Sequence, residues 1–248
     1  MSKPKKTILI TGGTGYLGSN IARALCGDYQ VIILKRSFSP INRIEQIVDK
    51  IELFNIDEVN LKNIFFRKNI DIILNCATHY GRKSKDPLEI VEANLVLPLA
   101  LLNLAKKNAV SCFINTDTIL DKRINAYSLS KSQFGDWLRK LAADIVCVNM
   151  ELEHFYGPLD DSSKFVTHLI ASILKGESEI QLTQGEQKRY FVYIDDVVNA
   201  FRLVIDESAG LSKGYHSFQV GSPQGISIRA FVETIKHLAG NVSTHLNF

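Results

Sequence analysis

Short apolar runs alternate with longer stretches at helical spacing through the first 150 residues. "TILIT" (7–11), "VIILKR" (31–36), "IELFN" (51–55), "DIILNCA" (71–77), "SCFINT" (111–116) and "IVCVNM" (145–150) predict strands. The amphipathic stretches 15–27, 58–68, 87–108 and 126–143 predict the helices between them. The strand runs are nearly all apolar instead of alternating, as expected where helices cover both faces of a sheet. Regular β-then-α order therefore predicts an α/β fold with a parallel, doubly wound sheet. After Met150 the rhythm changes. A turn-rich break, "YGPLDDSS" (156–163), leads to a helix at 164–176 and strand-like pieces at 180–183, 189–194 and 216–221. Helices are expected near 195–207 and 227–239, and "STHLNF" (243–248) reads as a last strand. Residues 1–150 are thus expected to form the main domain and 151–248 a smaller, interleaved α+β substrate lobe.

Glycines punctuate the end of the first strand: "ILITGGTGYLGSN" (8–20) places Gly12, Gly13, Gly15 and Gly18 within seven positions. A tight turn would account for some of them. An apolar run that ends in glycines and continues as a helix also makes a cradle for a dinucleotide pyrophosphate, of the Rossmann type. In that fold an acidic residue about 20 positions beyond the glycines selects NAD through the adenosine ribose. Here Lys35 and Arg36 stand 20 and 21 positions after Gly15, with no Asp or Glu between Asp28 and Glu45. A cationic pair suits the 2′-phosphate of NADP(H), because guanidinium binds phosphate by two parallel hydrogen bonds. An exposed basic pair of no function is the alternative.

The fifth strand ends in "NTDT" (115–118), and "YSLSK" follows with Tyr127 and Lys131 one helical turn apart. A neighbouring ammonium is expected to lower the phenol from its ordinary pKa of about 10. The Thr116 hydroxyl could orient a substrate oxygen, so the three residues carry the parts for carbonyl–alcohol chemistry. A solvent-facing Tyr–Lys pair is the plain alternative. Asp195 and Asp196 open a helix and read more simply as its N-cap than as a carboxylate pair.

Composition narrows the classes. The chain has 248 residues, 46% hydrophobic and 22% charged, with a net charge of +3 that gives no reason to expect a nucleic-acid partner. "LVLPLALLNLA" (95–105) is about half of the ~20 residues a membrane span needs and contains Pro98, so a buried helix is expected. Cys26, Cys76, Cys112 and Cys147 are scattered in apolar runs and the six histidines are dispersed, so no metal site is expected. Small buried thiols suit a reducing, cytoplasmic setting.

"TGGTGYLG", "YSLSK", "FYGP" (155–158) and "IDDVV" (194–198) together resemble the extended short-chain dehydrogenase/reductase family, which modifies nucleotide-activated sugars. "CATHYG", "NTDT", "VNMELEHFYGP", "TQGEQKRYFVYIDDVVNA" and "FQVGSPQGIS" are similar to its CDP-4-keto-3,6-dideoxyglucose 4-reductases. The resemblance implies that Gly12, Gly15 and Gly18 form the pyrophosphate turn, with Tyr16 and Leu17 lending backbone contacts. It implies further that Asn55 and Ile56 flank the adenine, and that Ala77 and Thr78 line the cofactor's middle. Thr116, Tyr127 and Lys131 would be the catalytic residues, the last two also holding cofactor. Tyr80, Asp117, Thr118, His154 and Arg189 would meet the substrate, Arg189 at its diphosphate. Glu151 departs from the family's usual arginine, and relatives continue past the point matching Phe248, so the lobe is expected to be incomplete there. In the family's 4,6-dehydratases the stretch matching Thr116–Thr118 reads Thr-Asp-Glu, whereas here Thr118 replaces the glutamate.

The expected activity is therefore NADPH-dependent reduction of the C4 ketone of a nucleotide-linked deoxyhexose, CDP-linked on the resemblance, by a homodimer. Trp137, off the Tyr127–Lys131 face, is a candidate interface contact. A 4-epimerase or 4,6-dehydratase, and a non-catalytic NADP(H)-binding sensor, are the competing readings.

Overall fold

The computed structural model describes residues 4–82, 84–240 and 243–248. The first unit comprises Met1–Leu152 and Val198–Gln219, and the second Glu153–Val197 and Val220–Phe248.

In the first unit β1 (Thr7–Thr11), α1 (Tyr16–Leu25), β2 (Gln30–Lys35), β3 (Ile51–Asn55), α2 (Leu61–Arg67) and β4 (Ile72–Asn75) alternate as the apolar pattern requires. They are followed by α3 (Pro87–Val91), α4 (Leu97–Lys107), β5 (Cys112–Thr118), α5 (Ala126–Leu141) and β6 (Val146–Leu152). Strands β6, β5, β4, β1, β2 and β3 lie side by side in that order, each pair parallel. The order reverses at β1, the switch point beyond which ligands bind in doubly wound sheets. Ile8, Leu9, Ile10, Ile72, Ile73, Leu74, Phe113 and Ile114 are all 0% exposed, which is why their sequence is continuously apolar.

The expected helix at 87–108 is two α segments joined by a π turn at Glu92–Val96. As one run, Pro87–Lys107 is 21 residues containing an 18-residue window of mean hydropathy 1.6, long and apolar enough by those measures to cross a membrane. Here Leu101, Leu102 and Ala105 from that run are buried in the sheet's core cluster, with Phe113, Phe134 and Leu138. Helix α5 starts where Asn125 accepts from the Ser128 amide (2.8 Å) and Ser128 Oγ accepts from the Asn125 amide (3.3 Å), a reciprocal cap. Trp137 on α5 is 47% exposed.

Beyond β6 come β7 (His154–Tyr156), α6 (Phe165–Lys175), β8 (Glu179–Gln181), β9 (Lys188–Arg189) and β10 (Phe191–Tyr193). The chain continues through α7 (Ile194–Glu207), β11 (Gly214–Val220), β12 (Ile226–Ser227), α8 (Ile228–Leu238) and β13 (His245–Asn247). Strand β11 joins the large sheet outside β6, making it seven-stranded. Within the second unit β10 pairs with β7, β12 with β9 and β13 with β8. Its core is Leu169, Ile173, Ile180, Ile228 and Val232, flanked by Phe191 stacked on Phe231 (centroids 4.0 Å apart). The expected strand at 189–194 is broken at Tyr190. Asp195 and Asp196 are not the cap of α7; both lie inside its first turn, where a carboxylate still complements the helix's positive end.

Phe134 is 0% exposed and meets Phe113 at a centroid distance of 6.0 Å, joining α5 to the sheet. Phe134→Ala should therefore cost about 3–5 kcal/mol of unfolding free energy, measured by urea denaturation.

Candidate active site

Backbone approaches backbone at the end of β1. Gly12 has φ +63°, and a Cβ there would lie 2.6 Å from the Cys76 carbonyl oxygen and 2.7 Å from the Ala77 nitrogen. A Cβ on Gly18 would lie 2.4 Å from the Gly12 carbonyl oxygen. Side chains at either position would force α1 away from the sheet. Gly15 caps α1 without a side-chain hydrogen bond, and the helix's first turn carries no acid. The turn thus leaves helix N–H groups and their positive end for an anion, as a pyrophosphate requires. Tyr16 and Leu17 are the first two residues of α1, half-buried, with the Arg43 guanidinium 5.8 Å from the Tyr16 ring. Ala77 and Thr78 follow β4, and the Ala77 amide donates to Thr11 Oγ1 (3.1 Å).

Lys35 and Asn55 are register partners at the ends of β2 and β3, and the Ile56 amide donates to the Lys35 carbonyl (2.8 Å). The Lys35 ammonium is folded back onto the carbonyls of Arg36 (3.0 Å) and Ser37 (3.1 Å). Asn55 donates to the Glu58 carboxylate (2.7 Å), and Ile56 packs on the core cluster. The Arg36 guanidinium lies over the Phe38 ring (4.7 Å) and has no ion pair among the described residues. An acid does reach this corner, from the end of β3 instead of β2: Asp57 accepts from the Ser37 amide (2.8 Å) and hydroxyl (2.6 Å). Those hydrogen bonds hold the Asp57 carboxyl below the usual carboxylate range. Asp57 is invisible to a search along β2 because the contact comes from the neighbouring strand.

Tyr127 and Lys131 lie one turn apart on α5, as their spacing predicts. The Tyr127 ring stands 5.0 Å from that of Tyr80, which Arg82 covers at 5.3 Å. The phenol is raised above its ordinary value, first by burial and then by Tyr80, while a hydrogen bond with Thr118 pulls it down. The lowering expected from Lys131 is not what the geometry produces. The lysine is 1% exposed, its Nζ has no hydrogen-bond partner, and burial lowers its own pKa. Tyr127 accordingly keeps its proton at neutral pH.

Thr116 is 5% exposed and its hydroxyl donates to the Asn75 carbonyl (2.9 Å). The hydroxyl beside the phenol is that of Thr118. Asp117 accepts from Asn149 (2.8 Å) and from the Thr118 amide (2.8 Å). Sequence reasoning misses Asn94. Buried in the π turn, it accepts from the His79 amide (2.8 Å) and donates to the His79 carbonyl (2.9 Å) and to Ser130 Oγ (3.0 Å). It ties the segment before Tyr80 to α5. A π turn has no sequence period of its own, so only Pro98 and the helix's length hint at irregularity.

In the second unit, His154 on β7 is the register partner of Phe191, and its Nδ1 lies 3.8 Å from the Glu153 carboxylate. Its pKa is lowered by burial, then by the charge of Arg189 on β9. The structure therefore brings His154 and Arg189 within electrostatic reach of each other. Among the described residues no group of three His, Cys, Asp or Glu side chains could hold a metal ion.

If burial governs the phenol, Tyr127 stays protonated well above the ordinary tyrosine value of about 10. The ultraviolet difference titration between wild type and Tyr127→Phe should show no ionisation of this residue by a pH of about 10.

Comparison with known proteins agrees with this geometry. The chain is 32% identical over 243 residues to the CDP-abequose synthase of Salmonella typhimurium, covering 92% of this chain and 79% of the relative. It is 24% identical over 251 residues to the dTDP-glucose 4,6-dehydratase of the same organism, covering 81% and 68%. Among solved structures, the UDP-glucose 4-epimerase of Thermotoga maritima with UDP-glucose superposes with a TM-score of 0.84 at 21% identity, covering 98% of this chain and 85% of that one. Residues 8–221 match the NAD dependent epimerase/dehydratase family. The nucleotide cradle, the Tyr–Lys pair and these likenesses agree, and the chain is an enzyme of the NAD dependent epimerase/dehydratase family, an extended short-chain dehydrogenase/reductase.

Proposed function

We propose that the protein reduces the C4 ketone of a nucleotide-linked deoxyhexose, CDP-linked, with NADPH. The observation that carries this reading is the residue placed against Tyr127: the hydroxyl of Thr118, where a dehydratase would have a carboxylate. A hydroxyl without an activating neighbour takes no proton from carbon at neutral pH, because a useful base needs a pKa near the working pH. Elimination chemistry then lacks its base, while proton donation keeps its acid. The likeness to CDP-abequose synthases supports the choice of nucleotide and sugar.

Residues of this chain would hold the cofactor as follows. The Gly12–Gly18 turn and the open end of α1 take the pyrophosphate, Asn55 and Ile56 the adenine, and Ala77 and Thr78 the middle. Lys131, buried with a vacant Nζ, takes ribose hydroxyls. Arg36, exposed and without an ion pair among the described residues, takes a 2′-phosphate, whereas Lys35 is committed to carbonyls. Bound NADPH supplies the hydride. Tyr127 donates its proton to the carbonyl oxygen as the alcohol forms. With the Thr116 proton given to Asn75, Thr118 is the hydroxyl that orients that oxygen, beside Tyr80. Arg189, with His154, serves the substrate diphosphate.

Hydrogen bonds to a charged partner are worth about 1.5–3 kcal/mol, so Arg36→Ala should weaken NADPH by roughly tenfold or more and leave NADH nearly unchanged. Calorimetric titration of both nucleotides checks this, and equal affinity of the wild type for NADH would remove Arg36 from the role.

The reaction itself is tested with NADPH and freshly generated CDP-4-keto-3,6-dideoxyglucose, following loss of NADPH absorbance. Tyr127→Phe should lose about 10²–10⁴-fold in turnover while still binding NADPH. Formation of a 4-keto-6-deoxy product from an intact nucleotide-glucose would instead establish a dehydratase.

A further inference from the structure

Polar side chains form one continuous row across four neighbouring strands of the large sheet. Thr11 Oγ1 donates to Asn75 Oδ1 (2.7 Å), and Asn75 Nδ2 to Asn115 Oδ1 (2.9 Å). Asn115 Nδ2 donates to Asn149 Oδ1 (2.8 Å), and Asn149 Nδ2 to Asp117 Oδ2 (2.8 Å). The first four residues are register partners on β1, β4, β5 and β6, so their side chains share one face. Asp117 is two residues beyond Asn115 on the same strand and returns to that face. Thr11, Asn75, Asn115 and Asn149 are at most 2% exposed.

The polarity of the row is set at its end. An ionised carboxylate only accepts hydrogen bonds, so Asn149 must turn its NH₂ toward Asp117 and its oxygen toward Asn115. The same demand passes to Asn115, to Asn75 and to the Thr11 hydroxyl. Every dipole in the row then points its positive end at Asp117. The other carboxylate oxygen accepts from the Thr118 amide (2.8 Å). Helix α5 passes over this carboxylate at Gly135, where a Cβ would lie 3.3 Å from Asp117 Oδ2. A row from four strands and a glycine of α5 thus converge on one carboxylate.

Lys131 stands one turn before Gly135 on the same face of α5, the face that passes over this carboxylate. The lysine is wholly buried, and its Nζ lacks any hydrogen-bond partner in the protein. An isolated buried ammonium sheds its proton unless an anion opposes the desolvation. Asp117 is the strongest influence keeping Lys131 charged; the other, Cys76, is a thiol that burial pushes up to about 12 and so carries no charge at neutral pH. Tyr127 faces the same carboxylate, together with Tyr80 and Arg82.

We propose that Asp117 is a positioning residue, the counter-anion that keeps the buried Lys131 an ammonium, aimed by the Asn75–Asn115–Asn149 row on which its carboxylate ends. The placement of Lys131 and Gly135 on one face of α5 above the Asp117 carboxylate carries this, and only its effect on turnover rests on the reductase reading. A sugar-binding role for Asp117 would not require three buried amides to restrain it.

The full-length chain, labelled with lysine carrying ¹³C at Cε, reports the charge on Lys131 through that carbon's resonance, assigned by its loss in Lys131→Met. In Asp117→Asn the titration midpoint of Lys131 should fall by about 1–2 pH units, the ordinary effect of removing an adjacent opposite charge. Asp117→Glu should restore most of it, which a purely packing role would not do. Asn149→Leu should give a smaller fall, because the carboxylate keeps its charge and loses its restraint. It supplies the reading if Asp117→Asn does not fold. Midpoints identical to wild type in the folded Asp117→Asn and Asn149→Leu variants would overturn the proposal. A lowered midpoint in a chain that reduces no CDP-4-keto sugar would uphold the counter-anion and reject the reductase.

Discussion

A sheet covered on both faces supplies no water at its strands, so a polar side chain placed there must bond to another. Leaving a buried donor or acceptor unpaired costs about 1–3 kcal/mol, a sizeable part of a domain's net stability. The large sheet meets this constraint with register-matched asparagines on adjacent parallel strands, each using both ends of its amide. Thr11 and Thr116 satisfy the same demand through Asn75, one at its side chain and one at its carbonyl. Lys131 is an exception: its Nζ is buried with no hydrogen bond, and exceptions of this kind gather at functional sites.

The nucleotide cradle follows from a second constraint of closeness. Gly12 and Gly18 let β1, α1 and the chain after β4 approach to distances that no Cβ would permit. That contact closes the corner at which the strand order reverses. It also leaves the first turn of α1 without a side-chain cap for its N–H groups, the feature that suits an anion.

Chemistry at Tyr127 depends on how these constraints combine. The reciprocal cap at Asn125 and Ser128 sets where α5 begins, and hence where the phenol stands. Asn94 fastens the segment before Tyr80 to the same helix through Ser130. Burial then outweighs the neighbouring Arg82 charge and keeps the phenol protonated.

Much of this was legible along the chain. Continuous apolar runs alternating with stretches of 3.6-residue period, and glycines at fixed offsets, determined the order of β1 to β6 along the chain, the Gly12–Gly18 turn and the one-turn spacing of Tyr127 and Lys131, because each depends on residues close in sequence. Tertiary structure alone decided what crosses strands. It brought Asp57 to Ser37, returned 198–219 to the first unit so that β11 extends the large sheet, and lined up Thr11, Asn75, Asn115 and Asn149 into one row. It also gave Thr118, and not Thr116, the place beside the phenol, and it raised the phenol that adjacency to Lys131 alone would have lowered. Register and burial are properties of neighbouring strands packed together, and no periodicity within a single strand encodes them.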